Sequence, residues 1–196
     1  MTGEPNLETP GSSASDAELI QLVTQRDEQA MTEVVRRFQA RVLNLAYRYL
    51  GDRDEAEVVA QDTFIKIWNR AETFRGSAQV WTWIYRITVN ICLTNRIRHR
   101  IKTEELDESV AAGPAQQPRE AFQRREQQAI IQRALDMLPE DQRMAIVLSR
   151  YEGMSYEEIG TVLGRSVPAV ATLIFRAKER LRMRLTPFLR RGKLSP

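Results

Sequence analysis

Apolar residues recur along this chain at intervals of three and four, the spacing that places them on one face of an α-helix. The clearest run extends from about Glu28 to Leu50, and Gly51 follows it as a C-cap. Its apolar face consists of Met31, Val34, Val35, Phe38, Val42, Leu45 and Tyr49. No segment alternates apolar and polar residues with the period of two that a half-buried strand requires. The pattern therefore predicts an all-α fold.

Three more helices are predicted in the first half of the chain. Ser15 and Glu18 form a capping-box pattern, in which the two side chains satisfy free backbone N–H groups at the start of a helix. Another helix extends from about Asp54 to Glu72 and begins with acidic residues that complement the helix dipole. The next spans about Gln79 to Arg98 and carries its apolar residues on one face.

The second half is also predicted to be helical. Ser155 and Glu158 repeat the capping-box pattern, and Gly164 marks a tight turn between two helices. In chain order, the predicted helices are about Arg119–Met137, about Glu140–Tyr151, a short one from Ser155 to Leu163, and one from Ser166 to about Arg190.

Two segments do not fit a helical pattern. Residues 1–14 are rich in Pro, Gly, Ser and Thr, and we expect them to be disordered. Residues 103–118 begin with four acidic residues in six positions and continue with Gly, Pro and Gln, so they have almost nothing to bury. The sequence therefore predicts two small helical domains, 15–102 and 119–196, joined by a flexible linker.

Composition excludes several classes of site. The chain has 196 residues and a net charge of +3, and it contains one cysteine, Cys92, and one histidine, His99. These two residues cannot form an internal disulfide or a four-ligand zinc site. The sequence also lacks a phosphate-binding loop, a signal-peptide core and any apolar run near the roughly 18 residues of a membrane span. We expect a cytoplasmic protein that binds no metal or cofactor. Among the possible classes of function, an enzyme has the weakest support.

The segment from Ser155 to Arg182 has the pattern of a helix-turn-helix, whose second helix lies in the major groove of DNA. Eight basic residues against one acid, Glu179, lie between Arg165 and Arg191, which suits binding to phosphates. The predicted buried stripe is Val167, Val170, Ile174, Ala177 and Leu181, and the outer face is Ala169, Thr172, Phe175, Arg176 and Arg180. On spacing alone, a plain helical hairpin with a solvated basic face remains the alternative.

Aromatic and basic residues occur together between Thr73 and Lys102, without an acidic residue between them. Phe74, Arg75 and Gly76 form a turn, and the aromatic residues Trp81, Trp83 and Tyr85 follow it. Arg86 and Asn90 are four apart and therefore share a helical face. Such a segment suits single-stranded nucleic acid, whose bases stack on rings. The alternatives are a core position for Trp83 and an ordinary polar face for Arg86 and Asn90.

Three segments together resemble the extracytoplasmic-function sigma factors of the sigma-70 family. They are EAEVVAQDTFIKIW (55–68), FRGSAQVWTWIYRITVN (74–90) and LPEDQRMAIVLSRYEGMSYEEIGTVLG (138–164). The resemblance implies a transcription initiation factor that catalyses nothing itself, binds core RNA polymerase and directs it to the −35 and −10 promoter elements. It also implies an anti-sigma factor as a partner and a role in a stress response.

The resemblance implies a role for particular positions. The helix that binds core polymerase would use Asp54, Glu57, Gln61 and Asp62. Without the resemblance, these residues would be interpreted as a solvated acidic face. The −10 strand would contact Arg75, Gly76, Ser77, Ala78, Gln79, Trp81, Arg86 and Asn90, with Asn90 in the pocket for a flipped base. The −35 duplex would contact Thr172, Phe175 and Arg176, together with Arg165, Lys178 and Arg180.

Three departures from the family pattern bear on these roles. Val58 stands where the family often has Asp, so one polar contact with polymerase is missing. The loop reads Gly-Ser-Ala-Gln-Val at 76–80, and Ala171 and Leu173 occupy positions that are often basic. Two other classes of function remain possible from the residues: a stand-alone helix-turn-helix regulator, which leaves residues 54–90 unused, and a pure interaction protein, which leaves the basic helix unexplained.

Overall fold

The computed structural model describes residues 14–76, 78–104 and 119–190, and within them the secondary structure is helical, which confirms the all-α prediction. The first unit, residues 14–104, contains α1 (Asp16–Thr24), α2 (Glu28–Leu50), α3 (Arg53–Arg70), a 3-10 turn (Ala71–Thr73) and α4 (Val80–Glu104). The second unit, residues 119–190, contains α5 (Arg119–Asp136), α6 (Glu140–Tyr151), α7 (Tyr156–Leu163) and α8 (Val167–Arg190). Residues 1–13, Ser77 and most of the predicted linker lie outside the described residues.

The predicted helix ends are confirmed where a capping residue marks them. Glu18 accepts a hydrogen bond from the backbone N–H of Ser15 at 2.7 Å, and Glu158 accepts one from Ser155 at 2.8 Å, so both capping boxes form. Gly51 ends α2 with φ of 80°, a left-handed conformation that glycine adopts without steric cost. Helix α4 continues past the predicted end at Arg98 to Glu104, because no glycine or proline interrupts that stretch.

Helix α2 lies at the centre of the first unit and packs against α1, α3 and α4. Its fully buried residues include Val34, Val42, Leu45 and Tyr49. An ion-pair network joins its polar side to α1, where Arg37 binds Asp16 at 2.8 Å and Glu33 at 2.7 Å. Hydrogen bonds from Arg36 and then Arg37 lower the pKa of Glu33 to about 2.

The second unit is organised around α6, in which residues 142–148 are all buried. Arg143 is 1% exposed, and its guanidinium donates to the carbonyl oxygen of Leu135 at 2.8 Å and pairs with Asp136 at 3.0 Å. These bonds compensate the burial of its charge. Apolar residues of both units belong to one hydrophobic cluster, because α6 packs against α2 and α7 packs against α4.

In the described part of the chain, no single helix has the length and hydropathy that a membrane span needs; α7 and α8 meet that test only as a pair bent by 99°.

Candidate nucleic-acid and protein interfaces

Helices α7 and α8 form the predicted helix-turn-helix, with axes that bend by 99° between them. Gly164 ends α7 with φ of 63°, and the N–H of Arg165 donates to the carbonyl oxygen of Gly160 at 2.9 Å. A Cβ at residue 160 would lie 2.7 Å from the carbonyl oxygen of Arg165, so only glycine permits this close turn. Gly160 is thus a structural requirement of the motif that periodicity alone did not reveal.

The sides of α8 largely follow the prediction. Val170, Ile174 and Ala177 are buried, and Leu181 is half-buried. Val167 was predicted to belong to this stripe, which is wrong: it is 39% exposed, because it lies in the first turn of α8, beyond the edge of the core. Ala169, predicted to lie on the outer face, is half-buried.

The outer face of α8 consists of Thr172, Phe175, Arg176, Lys178 and Arg180, all of which are exposed. Phe175 has 66% of its surface exposed, which is unusual for an aromatic side chain without a partner. The hydroxyl of Thr172 donates to the carbonyl oxygen of Pro168 at 2.9 Å, which leaves its oxygen able to accept. Arg165 lies off this face and pairs with Asp141 of α6 at 2.8 Å.

A cavity of about 500 Å³ lies between the loop that precedes α4 and the first turns of that helix. We call it the α4 cavity. Its lining is Glu72, Thr73, Phe74, Arg75, Ala78, Thr82, Trp83, Arg86 and Thr161. The rings of Phe74 and Trp83 pack with their centroids 5.5 Å apart. Rings and guanidinium groups therefore line one opening, a combination that can stack a base and attract a phosphate.

The predicted −10 residues fall at different places relative to this cavity. Arg75, Ala78 and Arg86 line it, whereas Asn90 is exposed one turn beyond Arg86 and is not part of the lining. Gly76 has φ of 69°, which turns the loop, and Gln79 is exposed with its carbonyl oxygen accepting from the N–H groups of Thr82 and Trp83. Ser77 lies outside the described residues.

Trp81 belongs to a separate cluster on another side of α4. Its ring meets that of Tyr85 edge-to-face at 5.6 Å, and the guanidinium of Arg41 lies 5.5 Å from the centre of each ring. We call these three residues the Arg41 cluster. Arg41 comes from α2, and no local pattern in the sequence links it to residues forty positions later. Burial, and then the bonded Glu152, raise the pKa of the Tyr85 hydroxyl above its ordinary value.

The position of Trp83 is compatible with both interpretations given from the sequence. It is half-buried and packs against the hydrophobic cluster, yet it also lines the α4 cavity. Phe74 and Thr82 are cavity residues that received no binding role from the sequence, although both lie within the segment 74–90 that carried the resemblance.

The outer face of α3 contains the predicted polymerase-binding residues Asp54, Glu57, Gln61 and Asp62, all of them exposed. The opposite side buries Ala56, Val59, Thr63 and Ile67 against α2 and α4. Val58 and Ile65 lie among the polar residues and are 51% and 57% exposed. This face is therefore a mixed acidic and apolar surface, which suits a protein partner better than a nucleic acid.

Among the described residues, no group of three or more His, Cys, Asp and Glu side chains is placed to hold a metal ion.

Comparison with known proteins gives concordant matches. The family model for sigma-70 region 2 matches residues 34–102, and the model for sigma-70 region 4 matches residues 128–181. The chain is 33% identical over 185 residues to the RNA polymerase sigma-H factor of Pseudomonas aeruginosa, covering 89% of this chain and 96% of that protein. It is also 33% identical over 187 residues to the ECF RNA polymerase sigma-E factor of Escherichia coli, covering 90% and 97%.

Two solved structures are similar to most of the chain. One is CnrH in complex with the cytosolic domain of CnrY, with a TM-score of 0.67, 28% identity and coverage of 88% of this chain and 97% of that one. The other is the sigma factor RpoE in complex with the anti-sigma factor NepR from Bartonella quintana, with a TM-score of 0.62, 26% identity and coverage of 79% and 96%.

Proposed function

The chain belongs to the extracytoplasmic-function sigma factors of the sigma-70 family and is a transcription initiation factor, and from this premise we propose a task for each of its surfaces. The outer face of α3 binds core RNA polymerase. The α4 cavity and the Arg41 cluster bind the separated −10 strand, and the outer face of α8 binds the −35 duplex. Sigma factors are non-enzymatic transcription factors, and we propose that this chain likewise has no catalytic activity of its own.

Binding of the −35 duplex by α8 is supported by the exposed side chains on its outer face. Arg176 can donate two hydrogen bonds to a guanine edge, and the ring of Phe175 can contact a thymine methyl group. Lys178 and Arg180, beside them, supply charge for the phosphates. Ala171 and Leu173 offer no such contacts, so a larger share of the affinity comes from phosphates and DNA shape.

Binding of the −10 strand is supported by the composition of the α4 cavity. A base that leaves the duplex can stack against Trp83 and Phe74, while Arg75 and Arg86 neutralise the neighbouring phosphates. The α4 cavity, with a volume of about 500 Å³, can accommodate one base and its sugar. This size is what a protein that captures a flipped nucleotide requires. Asn90 lies next to this opening, where its amide can bond the strand as it leaves the cavity.

Polymerase binding by α3 is supported by its mixed surface. Val58 and Ile65 provide apolar contact area near the centre, and Glu57, Gln61 and Asp62 surround them with polar groups. An interface with an apolar centre and a polar rim is the usual form of a specific protein contact. We expect a basic partner surface, which would face the exposed carboxylates of Asp54 and Asp62, while Glu57 pairs with Arg53 of the same helix at 3.2 Å.

We further propose that the chain acts in the cytoplasm, where it meets the polymerase, and that an anti-sigma factor controls it within a stress response. The two similar structures are complexes with CnrY and with the anti-sigma factor NepR, and they support this partner class.

We also propose that residues 15–102 and 119–196 are domains that fold separately, with 103–118 as a flexible linker. The acidic and proline-containing composition of 103–118 supports this division. Limited proteolysis tests it, since cleavage within 103–118 should release two stable fragments, and the absence of stable fragments of those sizes would contradict the proposal.

The observation that carries the functional proposal is the grouping of rings and guanidinium groups in the α4 cavity, apart from the outer face of α8. Variants at the two surfaces should therefore fail at different steps. With holoenzyme and a promoter that it selects from a random library, Arg176→Ala should lose duplex binding, and a pre-melted −10 bubble should not restore it. Arg86→Ala should bind the duplex normally and lose affinity for the bubble. Equal loss of duplex binding by both variants would refute the assignment.

A further inference from the structure

Arg26 lies in the turn between α1 and α2 and has a strained backbone conformation. Its φ is 67°, and among the residues that the structure describes it is the only non-glycine with a positive φ. The turn has Schellman hydrogen bonds, from the N–H of Arg26 to the carbonyl oxygen of Val23 at 3.0 Å and from the N–H of Asp27 to that of Leu22 at 3.2 Å. Glycine is the usual residue at this position, because it has no Cβ to clash. An arginine here therefore points to a role for its side chain.

The side chain of Arg26 binds the end of α3. Its guanidinium donates a hydrogen bond to the carbonyl oxygen of Trp68, 42 positions later, at 2.9 Å, and lies 5.2 Å from the centre of the Trp68 ring. Trp68 is in the last turn of α3, where backbone carbonyl groups ordinarily have no partner within the helix. A positive group at this end also complements the helix dipole. Arg26 thus caps a helix that is followed by Ala71 rather than by a glycine.

The α4 cavity begins directly after this helix end. The 3-10 turn Ala71–Thr73 follows α3 without a break and packs against α1, with Ala71 only 1% exposed. The N–H of Phe74 donates to the carbonyl oxygen of Ala71 at 3.0 Å, and Phe74 and Arg75 then form one wall of the cavity. The position of this wall therefore depends on the direction in which α3 ends.

We propose that Arg26 is a positioning residue for the −10 site. By holding the last turn of α3, it keeps the segment 71–76 in the conformation in which Phe74 and Arg75 line the α4 cavity. Arg26 itself is not one of the residues that line the cavity. The proposal rests on the proposed function of the cavity. Without the Arg26 side chain the segment samples other conformations, and the apparent affinity for the strand falls with the fraction of chains in the binding conformation.

Arg26→Gly separates this role from a role in folding. Glycine keeps the backbone hydrogen bonds of the turn and relieves the strain at a φ of 67°. In global unfolding, relief of strain offsets the lost contacts with Trp68, so the midpoint of thermal unfolding should change little. In local opening of 71–76 it offsets nothing, because the α1–α2 turn is folded in both local states. Local opening should therefore increase although global stability is retained.

Two variants serve as matched controls. Gln25→Gly introduces the same backbone freedom at the neighbouring exposed position and keeps Arg26. Arg70→Gln removes one positive charge from an exposed position in the last turn of α3. The first control tests for an effect of chain flexibility, and the second tests for an effect of charge.

Hydrogen exchange of the free full-length chain, followed by mass spectrometry, reports on the segment directly. In Arg26→Gly, residues 71–76 should exchange about fivefold faster, the factor that one hydrogen bond contributes net, while α2 exchanges as in the unmodified chain. Holoenzyme with this variant should bind a pre-melted −10 bubble about two- to fivefold more weakly in fluorescence anisotropy. Its affinity for the −35 duplex should be unchanged, and both controls should match the unmodified chain in every measurement.

An unchanged exchange rate over 71–76 in Arg26→Gly would overturn the proposal, and so would an unchanged affinity for the bubble. An equal loss of affinity in Gln25→Gly or in Arg70→Gln would also overturn it, because flexibility or charge would then account for the effect. An equal loss of −35 duplex binding in Arg26→Gly would indicate a general structural role instead. Failure of the proposed function is distinguishable, because Arg86→Ala would then bind the bubble normally.

Discussion

Replacing Gly160 by alanine should distort the turn between α7 and α8 and thereby displace α8, the helix proposed to bind the −35 duplex. The added Cβ would lie 2.7 Å from the carbonyl oxygen of Arg165, a backbone atom that can move only if the turn moves. Overpacking of this kind costs about 1–3 kcal/mol, and strain on the 2.9 Å hydrogen bond from the N–H of Arg165 to Gly160 adds to that cost. Alanine recovers about 1 kcal/mol through its higher helix propensity. We therefore expect a net loss of about 1–3 kcal/mol.

The matched control is Gly164→Ala. Residue 164 has φ of 63°, so alanine there is strained by about 1–2 kcal/mol, but no atom lies within 4 Å of its added Cβ. Both variants should lower the midpoint of thermal unfolding by several degrees, followed by circular dichroism. Only Gly160→Ala should also weaken holoenzyme binding to a −35 duplex in a gel-shift assay at a temperature where both variants are folded. Gly160→Ala with undiminished stability and undiminished duplex binding would refute the role assigned to this close turn.

Three further predictions concern the other surfaces and the α1–α2 contact. Asn90→Ala should leave closed-complex formation nearly normal and impair promoter opening, measured by permanganate reactivity of unpaired thymines. Arg176→Ala should instead weaken the closed complex by about 1–3 kcal/mol. Charge reversal at Glu57 and Asp62 should weaken capture of core polymerase in a pull-down without loss of helicity, and unchanged capture would contradict the proposed role of the outer face of α3. Because folding lowers the pKa of Glu33 from 4.5 to about 2, its contribution to stability is complete above pH 4.5 and is lost as the pH falls towards 2. Urea unfolding at pH 7 and pH 3 should therefore show a smaller acid loss for Glu33→Gln than for the unmodified chain.

Local signals in the sequence predicted the helices well because each such signal acts within a few residues. The Ser15–Glu18 capping box and the left-handed Gly51 satisfy the ends of their own helices, whatever the rest of the chain does. The predicted buried stripe of α8 is wrong at Val167, which is exposed. The apolar spacing extends into the first turn of α8, but that turn lies beyond the edge of the core. Periodicity describes one helix and carries no information about where its neighbour ends.

The parts of the site that were not predicted are those made by distant segments. Arg41 reaches Trp81 from another helix, and Tyr85 meets Glu152 across 67 positions of sequence. Neither contact follows from spacing within a helix, because each depends on how two helices pack. The resemblance to a family identified the segment 74–90 but could not separate the residues that line the α4 cavity from those that form the Arg41 cluster.

The three proposed surfaces differ in how far their side chains take part in packing. The outer faces of α3 and α8 are exposed, whereas the α4 cavity is lined by the half-buried Trp83, and the Arg41 cluster contains the fully buried Tyr85. A substitution on α3 or α8 therefore removes little packing, and its effect reports binding to the partner. A substitution of Trp83 or Tyr85 also removes buried apolar surface, which lowers stability. For these two residues, a loss of −10 binding counts as a binding effect only at a temperature where circular dichroism shows that the variant is folded.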